Sequence, residues 1–291
     1  MQIGFMGVGR MGSGIAGRIL SGGHDVIVYD TVRSMAENMQ EEGATVADSI
    51  AEVCADREVV FSMLPNDEAL LAVARGGVLE SLPKGAIYVP MGTHGVSGLA
   101  ELDELHKAAG QAVVACPVLG RPDIAAAGQL GLVPAGPPDA IAKLAPLFEV
   151  IGKRVFDAGT NPAGAAAVKL ANNMILGCAI EAMGEGFALT RGFGVDPSVL
   201  FDVLTEGLFA GPAYKVYGGL IANQSYDQVG FTTNLGLKDT NLMLAAGEAA
   251  NVPLPSCNVY RDRLLGAIAH GEGELDWAVI ARDQARASGQ E

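Results

Sequence analysis

Cationic residues and cysteines are scarce in this chain of 291 residues. The 19 Lys and Arg against 33 Asp and Glu give a formal net charge of −14. This balance argues against a chain whose main task is to hold nucleic acid or an anionic membrane surface. The four cysteines lie too far apart for a C-x-x-C motif or a dense disulfide framework, and no His/Cys set has the spacing of a metal site. Such cysteine usage is typical of a reducing compartment, so we expect a cytoplasmic protein without a bound metal.

A targeting segment and a membrane span are also not indicated. No basic region precedes the apolar run 3–9, and no small-residue cleavage site closes it. The longest apolar stretch, residues 163–189, contains one Lys, two Asn and two Glu, which would be costly in hydrocarbon. We expect this stretch to form a buried helix of a soluble protein.

The first half of the chain alternates short apolar runs with amphipathic stretches of helical length. This alternation predicts βαβ units and a largely parallel sheet with helices on both faces. Right-handed crossovers give a doubly wound domain, whose ligands bind outside the carboxyl ends of the strands. The predicted strands cover residues 3–6, 26–29, 59–63, 87–90, 112–115 and 130–134. The predicted helices between them cover residues 11–21, 33–42, 67–75, 96–109 and 138–148.

The pattern changes near residues 159–162, beyond which only helical periods are present. Asp-Pro, Gly-Pro and Asn-Val-Pro sequences separate these periods as start and stop signals. The sequence thus predicts a doubly wound α/β domain, residues 1–160, followed by an all-helical domain, residues 161–291. The helices predicted in the second domain cover residues 163–193, 197–204, 212–223, 235–251 and 256–270, and a last one follows residue 274.

A glycine motif follows the first predicted strand. Gly7, Gly9 and Gly12 match G-x-G-x-x-G, and an acidic residue ends the second predicted strand 23 positions after Gly7. The first glycine permits a tight turn, the second a close approach of the backbone to a pyrophosphate, and the third close packing of helix on strand. The phosphates would bind the N–H groups and positive dipole end of a helix that starts near Arg10 and Met11. The motif therefore predicts a Rossmann domain that binds a dinucleotide.

The acidic residue that ends the second strand is Asp30, and it bears on the choice of dinucleotide. A carboxylate at this position accepts hydrogen bonds from the adenosine ribose hydroxyls and repels a 2′-phosphate, which favours NAD over NADP. Arg33 lies one turn further along the chain. It either reaches a 2′-phosphate or is a solvated charge at a helix start. We expect NAD rather than NADP, with Arg33 as the residue that leaves the choice open.

A lysine and an asparagine share one face of the first helix predicted beyond residue 160. Lys169 and Asn173 are four residues apart, and small residues precede them. An ammonium with an amide one turn away suits proton transfer at a carbonyl oxygen. The alternative is a lysine that pairs with surface carboxylates. No Ser/His/Asp arrangement or second phosphate loop competes for the chemistry.

Four separated motifs resemble the β-hydroxyacid dehydrogenase family, which includes 3-hydroxyisobutyrate dehydrogenase and tartronate semialdehyde reductase. Their order and spacing span nearly the whole chain. The resemblance implies an N-terminal Rossmann domain, a long interdomain helix, and a helical domain that forms much of an oligomer interface. The motifs are GFMGVGRMG at residues 4–12, CPVLG at 116–120, KLANN at 169–173, and Lys238-Asp239 with Phe231 seven residues before Lys238.

The resemblance also implies roles for individual residues. Lys169 is the expected general acid and base, and Asn173 is expected to help hold the substrate. In the reductive direction the Lys169 ammonium would protonate the forming alkoxide, while the nicotinamide delivers hydride to the carbonyl carbon. The other implied contacts are with the cofactor at Leu64, Pro65, Thr93 and Lys238, and with the substrate at Gly120 and Phe231.

Two segments depart from the family pattern. The family's Ser-Gly-Gly reads Leu119-Gly120-Arg121 here, and the serine usually found before the threonine is replaced by Gly92. Leucine removes a hydroxyl donor and adds apolar bulk, whereas arginine can clamp a carboxylate or another planar anion. We hypothesise a substrate with a bulkier or less hydrophilic group than hydroxyisobutyrate, anchored by Arg121. The alternative is an Arg121 side chain that points to solvent.

The predicted function is that of an NAD(P)-dependent oxidoreductase. It would interconvert a small 3-hydroxy acid and its semialdehyde, or a related carbonyl, by hydride transfer, and would bind neither nucleic acid nor membrane. A homodimer or homotetramer is expected, because the apolar helices after residue 163 offer more hydrophobic surface than a monomer buries. The alternatives are a reductase of imines or other non-acid carbonyls on the same scaffold, and a non-catalytic cofactor-binding scaffold. The presence of Lys169 counts against both.

Overall fold

The computed structural model describes residues 1–290 and divides the chain into two compact units. The first unit is Met1–Lys169 and the second is Leu170–Glu291. Residue 291, the last of the predicted helical domain, lies outside the described residues. The domain boundary near residue 160 stays a prediction.

The first unit is built on a parallel sheet of six strands. The strands are β1 (Gln2–Met6), β2 (Asp25–Tyr29), β3 (Thr45–Val46), β4 (Val59–Ser62), β5 (Ile87–Pro90) and β6 (Ala112–Val113). Their order in the sheet is β3-β2-β1-β4-β5-β6, and all neighbouring strands are parallel. This is the order of a doubly wound dinucleotide-binding sheet. The strand order reverses between β1 and β4, so a ligand crevice is expected at the carboxyl ends of these strands.

Helices cover both faces of this sheet. Side chains of β1 alternate between two buried faces, because Ile3 and Phe5 lie in one hydrophobic cluster and Met6 lies in the other. The first cluster also contains Ile15, and the second contains Leu70. The helices are α1 (Arg10–Ser21), α2 (Arg33–Gln40), α3 (Ile50–Cys54), α4 (Asp67–Val73), α5 (Leu79–Ser81) and α6 (Val96–Ala108), with a π-helical turn at Ala74–Val78.

A small three-stranded sheet follows β6. Its strands are β7 (Val118–Leu119), β8 (Leu130–Leu132) and β9 (Gly152–Val155), in that spatial order. Strands β7 and β8 are antiparallel, and β8 and β9 are parallel. Helices α7 (Pro122–Ala126) and α8 (Pro138–Ile151) lie between them in sequence. The strand predicted at residues 130–134 therefore belongs to this second sheet and not to the main parallel sheet.

The second unit is helical. Its helices pack around Trp277, whose ring contacts the edges or faces of Tyr217, Phe231 and Tyr260. An isolated bridge between Thr232 and Asp276 is the only β pairing among the described residues of this unit. The helices are α9 (Pro162–Gly192), which begins in the first unit, α10 (Pro197–Glu206), α11 (Pro212–Asn223), α12 (Thr233–Ala250), α13 (Pro255–Ala269) and α14 (Ile280–Ala287).

Helix α9 is long and apolar. Within residues 1–290 it is the one helix whose length and composition would allow it to span a membrane, a test that core helices of soluble proteins also pass. Its residues Ala165 and Ala166 are buried in a hydrophobic cluster of the first unit. Further along, Ile180, Met183 and Phe187 are buried in the cluster of the second unit. The buried part of α9 thus contributes to both cores.

Candidate active site

Glycines shape the loop between β1 and α1. Gly7 has a φ of +83°, and a Cβ atom on it would lie 2.4 Å from the Met63 carbonyl oxygen. A Cβ atom on Gly12 would lie 1.9 Å from the Gly7 carbonyl oxygen, so α1 packs this closely only without a side chain. Apart from Gly9 itself and its two chain neighbours, no atom of residues 1–290 lies within 4 Å of a Cβ atom built on Gly9. Gly9 therefore leaves open space beside the backbone, as the approach of a pyrophosphate requires.

The N-terminus of α1 carries no side-chain cap. Gly9 is the residue before the helix, and the first turn contains Arg10 and Met11 but no Asp or Glu. The N–H groups and the positive dipole end of such a helix favour a phosphate. The residues present thus fit the pyrophosphate of a dinucleotide.

The Asp30 carboxylate is fixed by two backbone groups. Its Oδ2 accepts a hydrogen bond from the Val8 N–H at 2.9 Å, and its Oδ1 accepts one from the Val32 N–H at 2.8 Å. Asp30 is half-buried at the carboxyl end of β2. Each carboxylate oxygen can accept a further hydrogen bond, so a ribose hydroxyl can still be bound.

Arg33, the first residue of α2, is exposed and lies against two carboxylates. Its Nε lies 3.1 Å from Glu37 Oε1, and its Nη1 is hydrogen-bonded to Asp48 Oδ1. The hydrogen bonds to Asp48 and then to Glu37 raise the pKa of the Arg33 guanidinium. Arg33 is therefore an ion-paired residue. From the sequence we expected either a contact with a 2′-phosphate or a solvated charge, and neither alternative included this arrangement.

An aspartate–histidine contact joins the loop after β5 to the first residue of α4, which follows the loop after β4. Asp67 Oδ1 lies 3.1 Å from His94 Nδ1, and it also accepts the Gly95 N–H at 3.0 Å. His94 is 1% exposed. A Cβ atom on Gly92 would lie 2.7 Å from His94 Nε2, so the imidazole fills the space where a serine side chain would begin. These loops also contain the predicted cofactor contacts Leu64, Pro65 and Thr93.

The Lys169 ammonium is anchored on the 116–120 segment. Its Nζ donates a hydrogen bond to the Val118 carbonyl oxygen at 2.8 Å, and the side chain is half-buried. Val118 lies in β7 of the small sheet. The structure thus brings the predicted proton donor to the segment that the family motifs assign to the substrate.

Gly120, which ends this segment, and Arg121, which follows it, are constrained differently. Gly120 has a φ of +150°, and a Cβ atom on it would lie 2.7 Å from Leu130 Cδ2. The Arg121 side chain is 40% exposed, and its Nε lies 3.8 Å from Asp123 Oδ1. The Nε atom itself is buried without a hydrogen-bond partner. The guanidinium is neither fully solvated nor closely paired, and a substrate contact for Arg121 stays a prediction.

Asn173, one turn after Lys169 on α9, is bound to a buried carboxylate. Its Nδ2 donates to Asp239 Oδ2 at 2.8 Å, and Asn172 donates to its Oδ1 at 3.2 Å. Lys238 Nζ lies 2.9 Å from the other oxygen of Asp239. The Asp239 side chain is fully buried. These contacts fix the amide plane of Asn173 and bring two predicted site residues, Asn173 and Lys238, onto one carboxylate.

Phe231 lies in the core of the helical unit. Its ring meets the Trp277 ring edge-on, with 4.8 Å between centroids. Its N–H donates to the Asp276 carboxylate at 3.2 Å. The side chain is half-buried. A substrate contact for Phe231 stays a prediction.

The cysteines and acidic groups in the part of the chain that the structure describes are candidates for metal ligands and nucleophiles. Within residues 1–290, no group of three or more His, Cys, Asp or Glu side chains is placed to hold a metal ion. All four cysteines are free. Burial raises the pKa of the Cys116 thiol to about 12, so this residue of the substrate segment is a core group rather than a nucleophile.

Three acidic residues near the site carry no signal in the sequence. Glu37, Asp48 and Asp67 each contact a charged or polar side chain, and for Asp48 and Asp67 that partner lies 15 or more residues away. Asp48 and Asp67 follow the carboxyl ends of β3 and β4. These two aspartates follow predicted or observed strands, and the sequence does not identify the side chains that they contact.

The sheet order, the glycine loop and the fixed carboxylate after β2 define a dinucleotide-binding domain joined to a helical unit. Comparison with protein families agrees with this class. Residues 2–159 match the NAD binding domain of 6-phosphogluconate dehydrogenase. Residues 163–283 match the NAD-binding domain of NADP-dependent 3-hydroxyisobutyrate dehydrogenase.

Individual relatives cover almost the whole chain. Glyoxylate/succinic semialdehyde reductase 1 of Arabidopsis thaliana is 32% identical over 96% of this chain and 97% of its own length. The 3-hydroxyisobutyrate dehydrogenase of Pseudomonas aeruginosa is 32% identical, with 97% of each chain covered. The solved 3-hydroxyisobutyrate dehydrogenase of Mycobacterium tuberculosis with L-serine has a TM-score of 0.89 and 26% identity, covering 97% of this chain and 98% of that one.

The chain therefore belongs to the β-hydroxyacid dehydrogenase family, and it is an NAD(P)-dependent oxidoreductase. The predictions of the fold class, the family and the enzyme class are confirmed. Solved imine reductases also share the fold, at 18–21% identity, which shows the fold alone. The hydroxy acid and semialdehyde enzymes are thus the better-supported comparison for activity.

Proposed function

We propose that this oxidoreductase interconverts a small 3-hydroxy acid and its semialdehyde, with Lys169 as the general acid and base. The observation that carries the proposal is the hydrogen bond from Lys169 Nζ to the Val118 carbonyl, which holds a proton donor beside the 116–120 segment. Relatives named as a 3-hydroxyisobutyrate dehydrogenase and a semialdehyde reductase support the substrate class.

The proposed mechanism assigns proton transfer and positioning to the protein. When bound, the nicotinamide cofactor supplies or accepts the hydride. Lys169 as an ammonium protonates the carbonyl oxygen during reduction, and as a neutral amine it takes the hydroxyl proton during oxidation. The Val118 carbonyl accepts one N–H of the ammonium and so directs the Lys169 side chain. Asn173 gives one amide N–H to Asp239, and its second N–H is available to a substrate oxygen.

The test replaces Lys169 with Ala. A general acid or base contributes roughly 10²–10⁴-fold to the rate, so turnover is expected to fall below a few per cent of wild type. The dissociation constant for NADH, measured by fluorescence, is expected to change less than about twofold, because the glycine loop is untouched. Lys143→Ala, which removes an exposed lysine of α8, is the matched control. Retained turnover in the Lys169→Ala variant would contradict the assignment.

The substrate class is tested by a screen of short 3-hydroxy acids and semialdehydes beside cyclic imines. We propose that Arg121 anchors the substrate carboxylate, supported by its buried Nε, which has no hydrogen-bond partner and lies 3.8 Å from Asp123 Oδ1. Arg121→Ala is then expected to raise the Michaelis constant for acidic substrates far more than for neutral ones. Equal effects on both kinds of substrate would contradict the proposed role of Arg121. Faster turnover of imines than of semialdehydes would favour an imine reductase instead of the proposed substrate class.

We propose that the preferred cofactor is NAD. The support is Asp30, whose carboxylate is fixed at the end of β2 with acceptor capacity for the ribose hydroxyls. We also propose a cytoplasmic location, for which the four free cysteines are the support.

We further propose a homo-oligomer, either a dimer or a tetramer. Large apolar side chains are exposed on the helical unit, and a second copy of this chain is the partner whose surface matches them in a symmetric assembly. Six of these side chains lie in α9, in α10 or directly after one of these helices, and each is more than half exposed. They are Ile175, Leu189, Phe193, Val199, Val203 and Leu208.

A further inference from the structure

Neighbouring strand ends bring Asp48 close to the adenosine side of the dinucleotide site. Strands β2 and β3 are parallel, with Val28 paired to Val46. Asp30 and Asp48 each follow their paired residue by two positions, so the two carboxylates stand at the same edge of the sheet. Arg33 begins α2 just beyond Asp30 and reaches Asp48.

The Arg33 guanidinium is engaged on two sides. Its Nη1 is hydrogen-bonded to Asp48, and its Nε lies 3.1 Å from Glu37 Oε1 on the next turn of α2. The Asp48 backbone is held by a further contact, because its N–H donates to Glu52 Oε2 in α3 at 2.7 Å. A guanidinium binds a phosphate best through two parallel N–H groups. Here the Nε and Nη1 donors of Arg33 face carboxylates.

The charges around this position oppose a phosphate. Asp30, Glu37 and Asp48 supply three carboxylates against the one guanidinium of Arg33. A phosphate monoester adds a charge of about −1.5 to −2 at pH 7. A hydroxyl group at the same place adds none and can donate to Asp30. The three carboxylates therefore disfavour the 2′-phosphorylated dinucleotide in two ways. They repel its phosphate, and two of them occupy the guanidinium of Arg33.

We propose that Asp48 and Glu37 form a carboxylate clamp on Arg33 that makes this enzyme discriminate against NADP. The inference rests on the proposed dinucleotide site and goes beyond the role of Asp30. Without the clamp, Arg33 lies where an arginine serves a 2′-phosphate. Asp48 and Glu37 are thus specificity-determining residues, although neither needs to touch NAD.

The expected change in affinity for a 2′-phosphorylated ligand depends on how exposed the side chains of the clamp are. Arg33, Glu37 and Asp48 are all more than half exposed, and exposed ion pairs are weak and screened by salt. We expect Asp48→Asn or Glu37→Gln to tighten the binding of a 2′-phosphorylated ligand by roughly two- to fivefold at low ionic strength. At high ionic strength the gain shrinks.

The experiment compares two probes that differ only in the 2′-phosphate, adenosine 2′,5′-bisphosphate and AMP. Their dissociation constants are measured by calorimetry for the wild type, Asp48→Asn, Glu37→Gln, Arg33→Ala and the double variant Asp48→Asn/Arg33→Ala. The bisphosphate is expected to bind more tightly to Asp48→Asn and Glu37→Gln, with AMP changed by less than about twofold. Arg33→Ala is expected to change the wild type little and to abolish the gain of Asp48→Asn.

Asp25→Asn is the matched control, since it removes the same charge at the opposite end of β2. The clamp is overturned if Arg33→Ala weakens bisphosphate binding to the wild type as much as to Asp48→Asn. It is also overturned if Asp25→Asn gives the same gain as Asp48→Asn. Either result is independent of the proposed role of Lys169, because it concerns ligand binding and not turnover. If the Lys169 proposal fails, the expected binding differences are unaffected.

Discussion

Asp239 shows how one buried carboxylate organises the residues around it. It accepts the Asn173 amide at 2.8 Å and lies 2.9 Å from the Lys238 ammonium. A buried charge persists only when it is paired and hydrogen-bonded, so the positions of all three side chains are interdependent. The family motifs name Lys238 and Asn173 as site residues, and the structure adds the group that orients them.

We predict that Asp239→Asn lowers kcat/KM by about 10- to 100-fold, the equivalent of about 1.5–3 kcal/mol for a hydrogen bond to a charged group. Steady-state kinetics of Asp239→Asn, Asn173→Ala and the double variant form the test. If Asp239 acts through Asn173, the second substitution adds little to the first. Fully additive losses would show instead that Asp239 has a separate role.

His106 is a buried base outside the proposed site. Its ring stacks on Tyr88, with 4.8 Å between centroids. Burial lowers the pKa of His106 to about 4, against smaller opposing effects of Gln111 and Asp103. The folded state therefore takes up a proton less readily than the unfolded state, where histidine titrates near pH 6.5.

We predict that this difference destabilises the protein in mild acid. The unfolded state binds more protons between pH 6.5 and 4, so the free energy of unfolding falls as the pH decreases through this window. Between pH 7 and pH 5 the loss attributable to His106 is about 2 kcal/mol. Denaturant unfolding at both pH values measures it. His106→Phe keeps a ring against Tyr88 without a titrating group and should lose about 2 kcal/mol less, whereas an unchanged pH dependence would contradict the assignment.

At the scale of the element, the loop from β1 into α1 separates two uses of glycine. Gly12 is required by packing, since a Cβ atom there would lie 1.9 Å from a backbone oxygen. Gly9 has open space around it and a backbone conformation of φ −67° and ψ −163°, which other residues adopt. The fold therefore does not require glycine at position 9, and the missing side chain instead leaves space for a ligand.

We predict opposite outcomes for alanine at these two glycines. Gly9→Ala should leave thermal stability within about 2 °C of wild type and weaken NADH binding by about tenfold or more, because the methyl group enters the space of the pyrophosphate. Gly12→Ala should lower the free energy of unfolding by about 1–3 kcal/mol or more, as overpacking does. Calorimetric melting and NADH titration distinguish the two. A destabilised Gly9→Ala variant would show that its site is structural.

The elements that the sequence predicts well are those with a local signal. Strands β1, β2, β4 and β5 are buried apolar runs, and the predicted bounds agree with the structure to within one residue. Strands β3 and β7 have two residues each, and β9 is largely exposed and carries Lys153 and Arg154, so none of them forms an apolar run. They form because neighbouring strands supply hydrogen-bond partners, which composition does not show.

The same division applies to the candidate site. The glycine motif encodes a backbone shape within a few residues, so its sequence predicts its geometry. The contacts of Asp48 with Arg33 and of Asp67 with His94 each join the first residue of a helix to a loop that is distant in sequence. Such contacts depend on the packing of the sheet, and no spacing rule in one sequence identifies them.

At the scale of the whole molecule, the helical unit exposes apolar surface that its own core does not use. Leu208 is 92% exposed and Phe193 is 81% exposed. Val199 and Val203 are four residues apart and share a face of α10, whereas Leu189 lies near the end of α9 and Phe193 directly follows that helix. Exposed apolar rows of this kind mark interfaces in soluble proteins.

We predict that the wild type is a dimer or tetramer at micromolar concentration and that Phe193→Ser with Leu208→Ser shifts it toward the monomer. Because both side chains are largely exposed in the single chain, their loss should cost the fold itself little, within about 0.5 kcal/mol per site. Light scattering coupled to size-exclusion chromatography measures the mass. Val155→Ser, which removes a half-exposed apolar side chain from β9, is the control that should keep the wild-type mass. A monomeric wild type would mean that another partner covers this surface, whereas an unchanged mass in the double variant would move the interface elsewhere on the chain.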